Sequence, residues 1–66
     1  MSHGTIRAAT IKAIISLVME HFHCNENDAF AMFYKSHTGA CFADDSTGLY
    51  GQSALYIFSM LCEELE

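Results

Sequence analysis

The sequence predicts an all-α fold: a small three-helix domain made of a helical hairpin, a structured connector and a C-terminal helix. Three observations carry this expectation. The chain has no proline and only four glycines, and proline breaks helices while glycine weakens them. Its apolar residues recur at helical intervals in stretches on either side of the middle of the chain. That middle, from Phe33 to Ser53, holds three of the four glycines and half of the small hydroxyl residues, which are the residues of caps and turns.

The first helix is expected over 6–22, with Thr5 as its cap and 1–4 frayed. At about 100° per residue, Ile11, Ile14, Ile15, Val18 and Phe22 share one face. Ile6, Thr10, Ala13 and Leu17 form a second stripe beside it, so the apolar arc exceeds what one packed neighbour needs. The second stripe faces either the chain itself or another protein. His21, His23 and Cys24 cluster at the end of this helix. Residues two apart on a helix point in different directions, so the sequence assigns no metal ligand. The imidazoles suit the negative end of the helix dipole.

Asn25-Glu26-Asn27-Asp28 reads as a second start, with Asn25 capping and two acids in the first turn. This helix should run to Lys35 and place Phe30, Phe33, Tyr34 and His37 along a core side. So short a link makes the first two helices a tight hairpin. Gly39 is expected to stop the second helix in a left-handed conformation. Residues 40–43 should form a turn or an extended piece dipping into the core. Asp44 to Gly48 reads as a polar turn. It does not fit the calcium-loop consensus, whose later glutamate is here replaced by Ala54. The last helix is expected from Ala54 to about Glu64, capped by Gln52 or Ser53. Leu55, Phe58 and Cys62 should lie near one face, widened by Ile57, Leu61 and Leu65. Glu63, Glu64 and Glu66 are unfavourable to the dipole at that end and read as a solvated tail.

Length and charge narrow the function classes. With 66 residues, positions 1–66 make one domain, which buries only about 60% of its unfolded surface. Yet 52% of its residues are hydrophobic. That surplus predicts a homo-oligomer or a protein partner. The net charge is −5, with three cationic residues scattered as Arg7, Lys12 and Lys35. Nucleic acid is therefore not an expected partner, and an acidic surface suits a basic protein face. Three cysteines, an odd number, read as reduced thiols rather than a disulfide scaffold. No apolar stretch is long enough to span a bilayer, and no signal-peptide pattern appears. The expected location is cytoplasmic.

No pattern in the chain specifies catalysis, a cofactor or a metal. Cys41 and His37 could be drawn as a nucleophile pair, but an orienting third group and oxyanion donors are not evident. The expectation is a protein that is not an enzyme and needs no cofactor. The candidate partner-binding residues are the second stripe, Ile6, Thr10, Ala13 and Leu17, and the connector set. The latter comprises Tyr34, Ser36, Thr38, Thr47, Tyr50, Ser53 and Tyr56. Tyrosine joins a large contact area to a polar tip, while the same hydroxyls could equally satisfy a buried connector.

Phe33-Tyr34-Lys35-Ser36-His37-Thr38, Thr47-Gly48-Leu49-Tyr50 and Ser53-Ala54-Leu55-Tyr56 resemble a family of small bacterial domains of unknown function. The shared pattern is Phe-Tyr-x-Ser-x-Thr, then Thr-Gly-Leu-Tyr, then Ser-x-x-Tyr, with acids near the ends of helices as at Glu20, Glu63 and Glu64. It covers the chain from about Ile11 to Glu64. Cys41-Phe42-Ala43 departs from the leucine-rich piece that the family would place there. Domains of this kind are often encoded beside toxin-like genes, some resembling ADP-ribosyltransferases. The resemblance implies an accessory or antitoxin-like protein and no catalytic residue. The expected function is thus a cytoplasmic protein-interaction module. The alternative, a small dimeric DNA-binding regulator, would need a basic recognition helix that Lys35 alone does not make.

Overall fold

The computed structural model describes residues 3–66, with side chains from Arg7 onward. The all-α expectation holds. Four helices follow one another: α1 (His3–Phe22), α2 (Glu26–Lys35), α3 (His37–Ala43) and α4 (Ala54–Leu65). Two 3₁₀ turns, Asp45–Thr47 and Leu49–Gly51, join α3 to α4. Thr5 lies inside α1 rather than capping it, because the helix is already formed at His3. A helix of 20 residues is about 30 Å long at 1.5 Å per residue. That length accounts for the 33 Å long axis of the molecule.

Helix α1 is apolar around much of its circumference, and α2 and α4 both pack on it. Its chain then reverses through His23, whose φ of 54° is left-handed. The next amide, Cys24, donates back to the Met19 carbonyl at 3.2 Å. This is the kind of C-terminal closure for which glycine is the usual residue. Asn25 caps α2 as expected, its side chain accepting from Asp28 N–H at 2.8 Å.

One core gathers a residue from nearly every element. Ile14, Ile15 and Val18 come from α1, Ala29 and Phe33 from α2 and Phe42 from α3. Leu49 and the α4 pair Ile57 and Leu61 complete it. Burying each large side chain of this set stabilises the fold by about 1.5–3 kcal/mol. The Phe33 and Phe42 rings meet edge to face with centroids 5.7 Å apart, an arrangement favoured by the ring quadrupoles.

Several expected faces are rotated. On α2 the inward line is Ala29 and Phe33, while Tyr34 lies outside and Phe30 is half-buried; His37 belongs instead to α3, where it is exposed. On α4 the buried line is Ile57 and Leu61, and Leu55 faces away. The main face of α1 is buried at Ile14, Ile15 and Val18, with Ile11 and Phe22 packed at its edge. No helix among the described residues is long and apolar enough to cross a membrane.

Candidate functional site

The corner between α2 and α3 is held by a dense set of hydrogen bonds. Ser36 is extended, with φ −80° and ψ 158°, and serves both helices at once. Its backbone N–H and its hydroxyl both donate to the Phe33 carbonyl, at 3.2 and 2.5 Å. Its Oγ also accepts from Gly39 N–H at 2.9 Å. Gly39 therefore does not stop α2; it sits in the first turn of α3, pressed against the end of α2. A Cβ there would lie 1.9 Å from the Phe33 carbonyl oxygen.

Glu64 completes this corner from the far end of the chain. Its Oε2 accepts from His37 N–H at 2.7 Å. Its Oε1 accepts from Thr38 N–H at 2.9 Å and from the Thr38 hydroxyl at 2.8 Å. With Ser36 holding Gly39 N–H and Ala40 N–H donating to Ser36 O at 3.1 Å, the free amides that open α3 are all satisfied. The amides of His37 and Thr38, then the Thr38 hydroxyl, hold the Glu64 carboxyl below its ordinary value. Glu64 is thus not a solvated tail residue. It is the cap of another helix.

These bonds decide the role of much of the connector set. Ser36 and Thr38 are only 6% and 3% exposed, and their hydroxyls are engaged within the chain. Buried side chains of this kind offer nothing to a partner. Ser53 caps α4, accepting from Tyr56 N–H at 3.1 Å. Thr47 donates to the carbonyls of Cys41 and Asp44, at 2.6 and 2.9 Å, and accepts from Leu49 N–H. Tyr50 is half-buried beneath the Arg7 guanidinium, 5.2 Å above its ring, and Arg7 also pairs with Asp45. The Asp44 carboxylate accepts from the hydroxyl and the amide of Ser46, which lower its pKa in that order. Both acids of the turn therefore have partners inside the chain.

Tyr34 and Tyr56 remain outside, at 56% and 53% exposure, beside Leu55 at 63%. The Tyr34 ring stacks on Phe30. Tyr56 borders a groove of about 250 Å³ together with Cys41, Thr47, Leu49, Gln52 and Met60. Of the second stripe on α1, Ala13 is exposed and Thr10 and Leu17 are half-buried, while the Ile6 side chain lies outside the described part. Leu17 lines a second groove of about 310 Å³ with Glu20, His21 and Phe58.

The fold brings Cys41 and His37 together one turn apart on α3, with Sγ 3.5 Å from Nε2. A nucleophile and base need that contact, and the base also needs a third group to orient it. Among the described residues no hydrogen bond holds the second ring nitrogen of His37, and its amide serves Glu64. At the far end of α1, His21 Nε2 lies 2.8 Å from Glu66 Oε1. Cys62 stands beside this pair, and burial, then the Glu66 charge, pushes its thiol up. Spacing along α1 could not reveal this grouping, because two of its members lie at the opposite end of the chain. The Cys62–Glu66 interval of four was the available signal.

No protein-family model, no curated protein and no solved structure matches this chain. The comparisons therefore add nothing to the resemblance read from the Phe33–Thr38, Thr47–Tyr50 and Ser53–Tyr56 motifs.

Proposed function

We propose that the chain is a non-catalytic protein-interaction module whose docking face is the first half of α4 and the groove beside it. The observation that carries this reading is the pair Leu55 and Tyr56, each more than half exposed on a helix whose opposite side is fully buried. Tyr56 overhangs a groove whose apolar lining includes Leu49 and Met60. Binding energy at protein interfaces concentrates in a few such anchors, tyrosine prominent among them. The stripe of Gln52, Tyr56 and Met60 continues at helical spacing to Glu63, which is exposed. With a net charge of −5, the partner that fits is a protein with an apolar knob rimmed by basic residues. The family resemblance adds a finer form of the proposal, an antitoxin-like or accessory protein that covers a neighbouring toxin-like partner. Arg7 is already engaged by Asp45 and Tyr50. That leaves Lys12 and Lys35 as the cations for a nucleic-acid backbone, which disfavours the regulator reading.

The test is to capture the partner from the native host, then rebuild the complex from purified components. A complex of fixed stoichiometry that weakens more than about 30-fold in Tyr56→Ala or Leu55→Ala would support the proposal. It should also weaken as salt rises. A homodimer that binds nothing else, and whose interface is broken at Leu17 rather than Tyr56, would overturn it.

A further inference from the structure

We propose that His21, Cys62 and Glu66 form a binding site for a divalent transition-metal ion of the zinc class, joining the C-terminal ends of α1 and α4. Their donor atoms, an imidazole nitrogen, a thiol sulfur and a carboxylate oxygen, all lie within 4.8 Å of one another. Around a zinc ion with ligand bonds near 2.0–2.3 Å, tetrahedral donors stand about 3.5 Å apart. The donors, within 4.8 Å of one another, stand within about 1.3 Å of that spacing.

Two features make the cluster more than a chance meeting of polar ends. Cys62 and Glu66 are four residues apart, and the Glu66 amide donates to the Cys62 carbonyl at 2.9 Å. The last turn of α4 is therefore intact where both side chains leave it, and an interval of four puts them on one face. His21 comes from the other helix, with its ring flanked by two aromatic rings. Phe22 and Phe58 meet it edge to face, with centroids 4.7 and 5.5 Å away. Such support holds an imidazole ready for a metal.

The donor set selects the ion. Sulfur and imidazole nitrogen favour zinc and its neighbours, whereas calcium and magnesium take oxygen ligands. Three protein donors leave a fourth position, as in zinc sites that keep an exchangeable ligand. The fourth place falls to water, since the donor cluster comprises His21, Cys62 and Glu66. Bound there, the ion would clamp the last turn of α4, and with it the run of acids, against α1.

An exposed histidine–glutamate pair explains His21 and Glu66 without any metal, so the test turns on Cys62. Metal-free reduced protein is titrated with Co²⁺, a spectroscopic stand-in for Zn²⁺. The expected result is one ion per chain, a thiolate-to-cobalt band in the near ultraviolet, and loss of that band when Zn²⁺ is added. The band should persist in the Cys24→Ser/Cys41→Ser double variant and vanish in Cys62→Ser. Glu66→Gln, at an exposed position, should keep the fold and weaken binding at least about tenfold. Zn²⁺ at a hundred times its dissociation constant should raise the thermal midpoint by roughly 10–20 °C. Absence of the band in the unaltered protein would overturn the proposal. So would a band that survives Cys62→Ser and disappears with Cys41, which would move the ion to the His37–Cys41 pair.

Discussion

Replacing Gly39 with alanine tests the α2–α3 corner most directly. The added methyl would sit 1.9 Å from the Phe33 carbonyl oxygen and 2.8 Å from its carbon, where ordinary contact begins at 3.4 Å. The obstacle is backbone, which cannot rotate aside as a flexible side chain would. Relief requires α3 to withdraw by about 1.5 Å, the difference between 1.9 and 3.4 Å. That movement stretches the bond from Gly39 N–H to Ser36 Oγ, now 2.9 Å, and those from His37 and Thr38 N–H to Glu64. Overpacking costs about 1–3 kcal/mol and each lost hydrogen bond about 1 kcal/mol. Alanine returns about 1 kcal/mol in helix propensity. With all three bonds lost, the net expectation is a loss of about 3–5 kcal/mol. A domain of this size has only about 3–10 kcal/mol to lose. Urea unfolding followed by far-ultraviolet circular dichroism measures the loss. The other connector glycines are internal controls. A Cβ on Gly51 meets nothing within 4 Å and Gly51 has ordinary φ, so alanine there should be neutral or stabilising by up to about 1 kcal/mol. Gly48 is equally open but has φ +67°, so its alanine variant should lose about 1 kcal/mol. Gly39→Ala as stable as the parent protein, or less costly than Gly48→Ala, would refute the close-packed corner.

Other substitutions probe the remaining supports. His23→Gly should raise the thermal midpoint by about 2–8 °C, because glycine adopts the left-handed conformation of His23 without the side-chain penalty. Differential scanning calorimetry would show it. Glu64→Gln should flatten the acid limb of the stability curve. A carboxyl whose folded pKa is lowered stabilises fully above its unfolded value of 4.5 and loses that contribution as pH falls through the folded value. Urea midpoints measured from pH 7 down to acid should therefore converge for parent and variant. Ile57→Ala, at a fully buried position, should cost about 2–5 kcal/mol. Leu55→Ala, on the outer side of the same helix, should stay within about 0.5 kcal/mol of the parent in urea unfolding while weakening partner binding.

The two rotated helix faces show how far periodicity reaches. On α4, Leu55 and Ile57 are equally apolar, and sequence spacing grouped Leu55 with Phe58 and Cys62. The structure buries Ile57 and Leu61 and leaves Leu55 outside. In a chain with this much apolar surface, several arcs satisfy a helical pattern, and only the neighbour's shape chooses among them. The tyrosines divide in the same way, Tyr50 beneath Arg7 and Tyr56 at the surface.

What the sequence determined by itself was local. Freedom from proline and apolar periodicity set the helical class. Asn25 and Ser53 set two helix starts through hydrogen bonds to amides three residues away. The tertiary structure decided whatever joins distant parts of the chain. Glu64 reaches back 26 residues to cap Thr38. Gly39 is needed for the approach of one helix to the end of another, not for a left-handed turn. Arg7 finds Asp45 and Tyr50, and His21 finds Cys62 and Glu66. Capping and periodicity act within a turn or two of helix and can be read in order along the chain. Long-range pairs depend on how the helices pack, and that packing follows from the whole core at once.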